Sequence, residues 1–119
     1  MSIVAQGEAA AGRSTDTRIS SYLLAEYLER LGVEVIFGLC GHTNIAFLDA
    51  VGKSRIRFIT ARHEQVAAHA ADGYARASGK VGVLLTHLGP GLTNATTGVA
   101  NAALDSDRKS TRLNSSHRL

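Results

Sequence analysis

IRFITARHEQVAAHAADGYARASGKVGVLLT, residues 56–86, changes its hydrophobic period twice, and the two changes decide the architecture. Ile56 to Ala61 is a short apolar run with β-branched residues and reads as a strand. From Glu64 to Ala77 the small and apolar residues Val66, Ala67, Ala70, Ala71, Tyr74 and Ala75 fall near i, i+4 and i+8, the period of a helix. Gly79 is placed to stop that helix. Lys80 to Thr86 is again continuously apolar, as a strand covered on both faces must be. A strand, a helix and a second strand in this order predict a parallel crossover unit.

The same grammar extends in both directions. Upstream, Tyr22, Leu23, Ala25, Tyr27, Leu28 and Leu31 mark one broad face of a helix that starts at Ile19 and stops at Gly32. Val33 to Phe37 is a strand, the turn Gly38-Leu39-Cys40-Gly41-His42 follows, and Asn44 to Val51 reads as a short helix closed by Gly52. Downstream, HLGPGLTN reads as a loop leading into an Ala/Gly-rich helix from Asn94 to Leu104. The predicted fold class is α/β, a three-layer parallel sheet. It is expected to be incomplete, since nothing strand-like follows Leu104.

Composition sets the outer limits. The 119 residues are 45% hydrophobic with mean hydropathy +0.02, which suits one globular core. No run approaches the about 18 continuous apolar residues of a membrane span, and the start lacks the basic-then-apolar order of a signal peptide. A cytoplasmic protein without membrane association is expected. Cys40 is the single cysteine, which excludes an internal disulfide and a multi-cysteine zinc site. The net charge of +3 belongs wholly to Asp107–Leu119; residues 1–106 carry nine basic and nine acidic side chains. A nucleic-acid-binding patch on the body has no support.

Three segments follow from these readings. Residues 1–18 are small, polar and aperiodic and are expected to be disordered. Residues 19–106 form the domain. Residues 107–119 contain DRKSTRLNSSH, which has no apolar period; its back-translation matches a widely used sequencing-library adapter, so the tail is read as non-native, with the natural sequence cut near Ser106.

In a parallel sheet the three strand-to-helix junctions, Gly38–His42, Arg62–Glu64 and His87–Asn94, gather on one edge, where α/β proteins place ligands. Glu64 there has two readings: a charge favoured by the helix macrodipole, or a carboxyl group aimed at a ligand. Gly89-Pro90-Gly91 would let a ligand approach the backbone free of Cβ atoms, next to unpaired N–H groups. No Gly-Lys-Ser/Thr follows, so this is not a P-loop. His42, His63, His69 and His87 lack the i, i+4 spacing of a helical metal pair and are read as packed or surface histidines, with no metal site. His87 stands apart because it ends a buried strand on the ligand edge. Cys40 is read as a small buried hydrophobe.

YLLAEYLERLGVEVIFGLCGHTNIAFLDAV (22–51), RHEQVAAHAADGYARASGKVGV (62–83) and GPGLTNATTGVANAALDS (89–106) together resemble the amino-terminal, pyrimidine-binding domain of thiamine-diphosphate-dependent enzymes of the acetolactate synthase family. The resemblance runs from Ser20 to Ser106 and implies a flavodoxin-like fold. It implies that Glu64 hydrogen-bonds the aminopyrimidine ring nitrogen and shares a proton with it. It further implies cofactor contacts from Gly38, Gly41, Pro90, Gly91 and Asn94, with His42 facing the substrate and Glu64 and His87 as the catalytic residues. Magnesium would be held by a Gly-Asp-Gly motif in a missing carboxyl-terminal part; FAD is left open. The implied reaction decarboxylates a 2-oxo acid and joins the product to a second carbonyl, in a homodimer or homotetramer, and the fragment alone is expected to be inactive.

Two positions depart from the family pattern. Cys40 stands where members commonly have proline. His87 stands where acetolactate synthases usually have a small hydroxyl residue and where the related benzoylformate decarboxylase has a catalytic histidine. A non-oxidative 2-oxo acid decarboxylase is therefore an alternative. A non-catalytic nucleotide-binding module is another, though the carboxylate of Glu64 would repel a phosphate.

Overall fold

The computed structural model describes residues 19–104; the segments read as disordered (1–18) and non-native (107–119) lie outside the described residues. Seven elements alternate as expected: α1 (Ser20–Arg30), β1 (Val35–Gly38), α2 (Ile45–Gly52), β2 (Arg57–Thr60), α3 (Glu64–Ser78), β3 (Val83–Leu85) and α4 (Leu88–Leu104). The strands pair in parallel in the order β2-β1-β3, with Ile36 of β1 facing Phe58 on one side and Val83 on the other. The chain leaves β1 toward one edge and returns past it to the other. The crevice beyond the ends of β1 and β3 is thus a topological switch point.

α1 and α2 cover one face of the sheet. Ala25 and Leu28 of α1, Ile36, Ala50, Val51, Ile56, Val83 and Leu85 form a continuous apolar core, in which Ile36 and Val51 are fully buried. α3 packs on β1 and β3 from the opposite face, and α4 packs on α3. The broad apolar face read for α1 divides in two: Ala25 and Leu28 point inward, whereas Ile19, Leu23, Tyr27 and Leu31, each four residues apart, are exposed.

Side-chain size controls the α3–α4 contact. The buried residues of α4 are Gly91, Ala95, Gly98 and Ala102, and those of α3 include Ala67, Ala68, Ala71 and Ala75. With so little bulk between them the helix axes approach closely, and a Cβ on Gly98 would stand 2.5 Å from Cβ of Ala68. The periphery is tied by ion pairs instead. Lys80 and Tyr74 both donate to Glu34, and Lys53 and Tyr22 to Asp49, holding both carboxyls below their ordinary range. Exposed pairs of this kind add little stability.

The element ends refine the reading. Gly79 takes a left-handed φ of 70° and caps α3, as expected. Gly52 does not cap α2; it is the last helical residue, and Lys53 follows in a right-handed conformation. α4 begins at Leu88, six residues before Asn94, so Gly-Pro-Gly is helix rather than loop. Proline fits a helix's first turn, where its missing N–H has no partner to lose and its φ is already helical. No described helix is long and apolar enough to cross a membrane.

Gly98→Val should force α4 away from α3 at a cost of about 1–3 kcal/mol, the usual penalty of overpacking. Hydrogen exchange in the full-length protein should then quicken in peptides from α3 and α4 and stay unchanged in those from α1 and α2.

Candidate active site

Glu64 is the first residue of α3 and is only 8% exposed. The preceding residue fixes this placement. His63 is extended (φ −153°, ψ 143°), and its Nδ1 accepts the backbone N–H of Gln65 at 3.2 Å, so an imidazole serves as the helix cap. α3 therefore begins where the Glu64 side chain turns toward α4. Oε2 of Glu64 accepts a hydrogen bond from Nδ2 of Asn94 at 3.1 Å. Oε1 lies against Gly91, 3.0 Å from the place a Cβ would occupy. Gly91 and Asn94 are three residues apart and share a face of α4.

The macrodipole accounts for a carboxylate at an exposed helix start, not for one withdrawn from water, which costs free energy unless it is well partnered. Glu64 is held by a neutral amide. Burial and the Asn94 bond set Glu64 apart from an acid that merely complements an exposed helix start.

The β1–α2 loop and the end of β3 build a second cluster. A Cβ on Gly41 would fall within 2.0–2.4 Å of the His87 imidazole, so the ring rests on the glycine backbone. The His42 ring meets that of His87 edge to face, with centroids 4.9 Å apart. Nε2 of His87 is buried and, among the described residues, has no hydrogen-bond partner. Leaving such a group unpaired costs about 1–3 kcal/mol. Leu88, next in the chain, has φ 57°, the left-handed region that leucine rarely enters, and its side chain is 54% exposed.

The structure thus brings Glu64, Gly91 and Asn94 into one group, and Gly41, His42 and His87 into another. Gly38 is buried at the end of β1, where a Cβ would meet the carbonyl oxygen of Leu85 at 2.3 Å; strand packing alone demands glycine there. Pro90 is exposed in the first turn of α4. Gly-Pro-Gly does not form the open loop that was expected: the N–H of Gly91 donates to the carbonyl of His87 at 3.2 Å, and its missing Cβ makes room for Glu64. Cys40 is exposed, not buried, because the loop carries it outward beyond the end of β1. His69 is exposed on α3.

Two residues with clear tasks gave no signal in the sequence. His63 is one, since imidazole is not among the usual capping groups. Asn44 is the other. It is 8% exposed, and its side chain accepts the N–H of Gly41 at 2.9 Å and donates to the carbonyl of Leu39 at 3.1 Å. Among the described residues no three His, Cys, Asp or Glu side chains are grouped to hold a metal ion.

Residues 20–108 match the family described as thiamine pyrophosphate enzyme, N-terminal TPP binding domain. The chain belongs to this family. As a member of the thiamine pyrophosphate enzymes it is 52% identical over 87 residues to the acetolactate synthase large subunit of Lactococcus lactis subsp. lactis, an alignment covering 72% of this chain and 15% of that protein. It is 56% identical over 79 residues to a probable acetolactate synthase large subunit of Methanococcus aeolicus, covering 66% of this chain and 13% of the relative. To the acetolactate synthase of Mycobacterium avium it is 51% identical over 80 residues, again 66% and 13%. The thiamine pyrophosphate enzyme domain seen here therefore spans only about one seventh of such relatives.

Leu88 gives a prediction of unusual sign. A left-handed leucine stores about 1–2 kcal/mol, and glycine returns part of it against its own larger loss of chain entropy. Leu88→Gly should raise the urea midpoint, by up to about 1 kcal/mol in stability, whereas Leu88→Ile should lower it.

Proposed function

We propose that the full-length protein is a thiamine-diphosphate-dependent enzyme that decarboxylates a 2-oxo acid and ligates the product to a second carbonyl, as an acetolactate synthase does. The observation that carries this reading is the buried carboxyl of Glu64, seated between Asn94 and Gly91 at a strand-to-helix junction of a thiamine pyrophosphate enzyme domain. An aminopyrimidine ring presents a basic nitrogen, and its natural partner is a carboxyl group that is shielded from water and fixed in orientation. Glu64 has both properties.

When bound, thiamine diphosphate supplies the electron sink for breaking the bond between the carboxyl and carbonyl carbons of the acid. This chain's residues do the rest of the work at its end of the site. Asn94 holds Oε2 and orients the carboxyl, and Glu64 would share a proton with the pyrimidine nitrogen. Gly41 and Gly91, flanked by Gly38 and Pro90, would shape the backbone around the ring. Burial keeps water from competing for the shared proton. We assign the magnesium and diphosphate contacts to the remainder of the full-length enzyme, along with any FAD site. A cytoplasmic homodimer or homotetramer completes the proposal.

His87 supports a second reading, the non-oxidative 2-oxo acid decarboxylase. Its buried, unpartnered Nε2 stands at the switch point beside His42, suited to bind the acid's carboxylate or to deliver the proton that ends the reaction at an aldehyde. A nucleotide-binding module is disfavoured by the carboxyl at the junction and by the identity shared with acetolactate synthases.

Glu64→Gln in the full-length enzyme should leave thiamine diphosphate affinity, read by calorimetry, nearly unchanged, and should lower turnover by at least about 10²–10⁴-fold, the range for loss of an acid/base group. Turnover within a few-fold of wild type would reject the assigned role. His87→Ala separates the two reactions. If His87 delivers the final proton, aldehyde release should slow more than decarboxylation and an added acceptor should capture more product; a fixed ratio of ligated product to aldehyde would remove the main support of the decarboxylase reading.

A further inference from the structure

Asn44 occupies the residue before α2, the position where an asparagine normally caps the helix by accepting an N–H from its first turn. It makes no such bond. Its amide is spent on the loop before the helix: the oxygen takes the N–H of Gly41 at 2.9 Å, and the nitrogen donates to the carbonyl of Leu39 at 3.1 Å. The backbone N–H of Asn44 donates to the carbonyl of Gly41 at 3.1 Å, and its carbonyl accepts from Leu48 at 2.9 Å. A single buried side chain thus grips the loop on both sides of Cys40, and anchors that grip to α2.

What it grips is the platform of the histidine pair. The His87 ring lies so close to Gly41 that even a methyl group there would overlap it, and His42 follows Gly41 directly. A displacement of Gly41 toward β3 drives the backbone into the ring; a displacement away uncovers Nε2. We infer that Asn44 is a positioning residue: by clamping Leu39 and Gly41 it holds the His42–His87 pair in the orientation that receives the carboxylate of the 2-oxo acid. The role in turnover rests on the function proposed above; the clamp itself does not.

The test combines two readouts on the full-length enzyme. Diethyl pyrocarbonate modifies exposed imidazoles, and mass spectrometry follows each histidine separately, with the exposed His63 and His69 as internal references. Asn44→Ala should speed modification of His87 by about tenfold as the platform opens locally, while His63 and His69 change less than about twofold. The same variant should raise KM for the 2-oxo acid by about tenfold with kcat nearly unchanged, because Glu64 and Asn94 lie on other elements. Asn44→Asp keeps the acceptor for Gly41 but sets a carboxylate oxygen against the carbonyl of Leu39, so it should move both readouts in the same direction; if Asn44→Ala does not fold, Asn44→Asp carries the test. Modification of His87 at the wild-type rate, or a fall in kcat with KM unchanged, would overturn the inference. Should the wild-type enzyme turn over no 2-oxo acid, the proposed function fails, and the modification rates alone decide whether the clamp exists.

Discussion

The contact between α3 and α4 is made by methyl groups and hydrogen atoms, and the arrangement of the site depends on it. Gly98 lies on Ala68, and Gly91, Ala95 and Ala102 continue the same stripe. Larger residues would still bury apolar area, but they would set the helices farther apart, at the wider end of the usual 8–10 Å spacing. At that separation the short side chain of Asn94 no longer reaches the Glu64 carboxylate. The composition of these helices, poor in bulk and rich in alanine, is therefore a geometric requirement. Dispersion from many close backbone contacts offsets the apolar area that small residues forgo.

The environments of the carboxylates show how different Glu64 is. Glu29, Glu34 and Asp49 sit at the surface beside Arg55, Lys80 and Lys53, and each has its carboxyl lowered by hydrogen bonds from those neighbours. Glu64 is removed from water and fixed by an amide, which orients without adding charge. Asp72, the other buried acid of α3, is paired with Arg76 one turn later. Of the acids on this helix, Glu64 is the one at the strand-to-helix junction.

Much of this is legible in the amino-acid sequence. The change of period across residues 56–86 gives two strands and a helix, and the glycine after Ser78 gives a left-handed cap, because both depend on neighbours a few residues away. The same holds for the placing of Glu64 and His87 at strand-to-helix junctions, which follows from the alternation of strands and helices, whereas Asn94 reaches Glu64 only through the packing of α3 on α4. The failures have a common cause. Gly-Pro-Gly satisfies a turn and a helix's first turn equally well, and only the packing of Gly91 against Glu64 decides between them. The apolar face of α1 is wide enough for two stripes, and sequence does not say which one the sheet covers. Cys40, His63 and Asn44 owe their roles to the path of a loop or to a single side-chain bond, and neither leaves a periodic trace.

The two clusters are carried by different parts of the fold. Glu64, Gly91 and Asn94 belong to a rigid helix pair on one face of the sheet, whereas His42 rides on a loop that enters α2 on the other. They meet covalently only where His87 passes into α4. Within residues 39–43 the backbone at Gly41 is pinned against His87, whereas Cys40 is exposed and touches neither helix of the pair. The domain is thus two mechanical units joined at a single hinge, between His87 and Leu88.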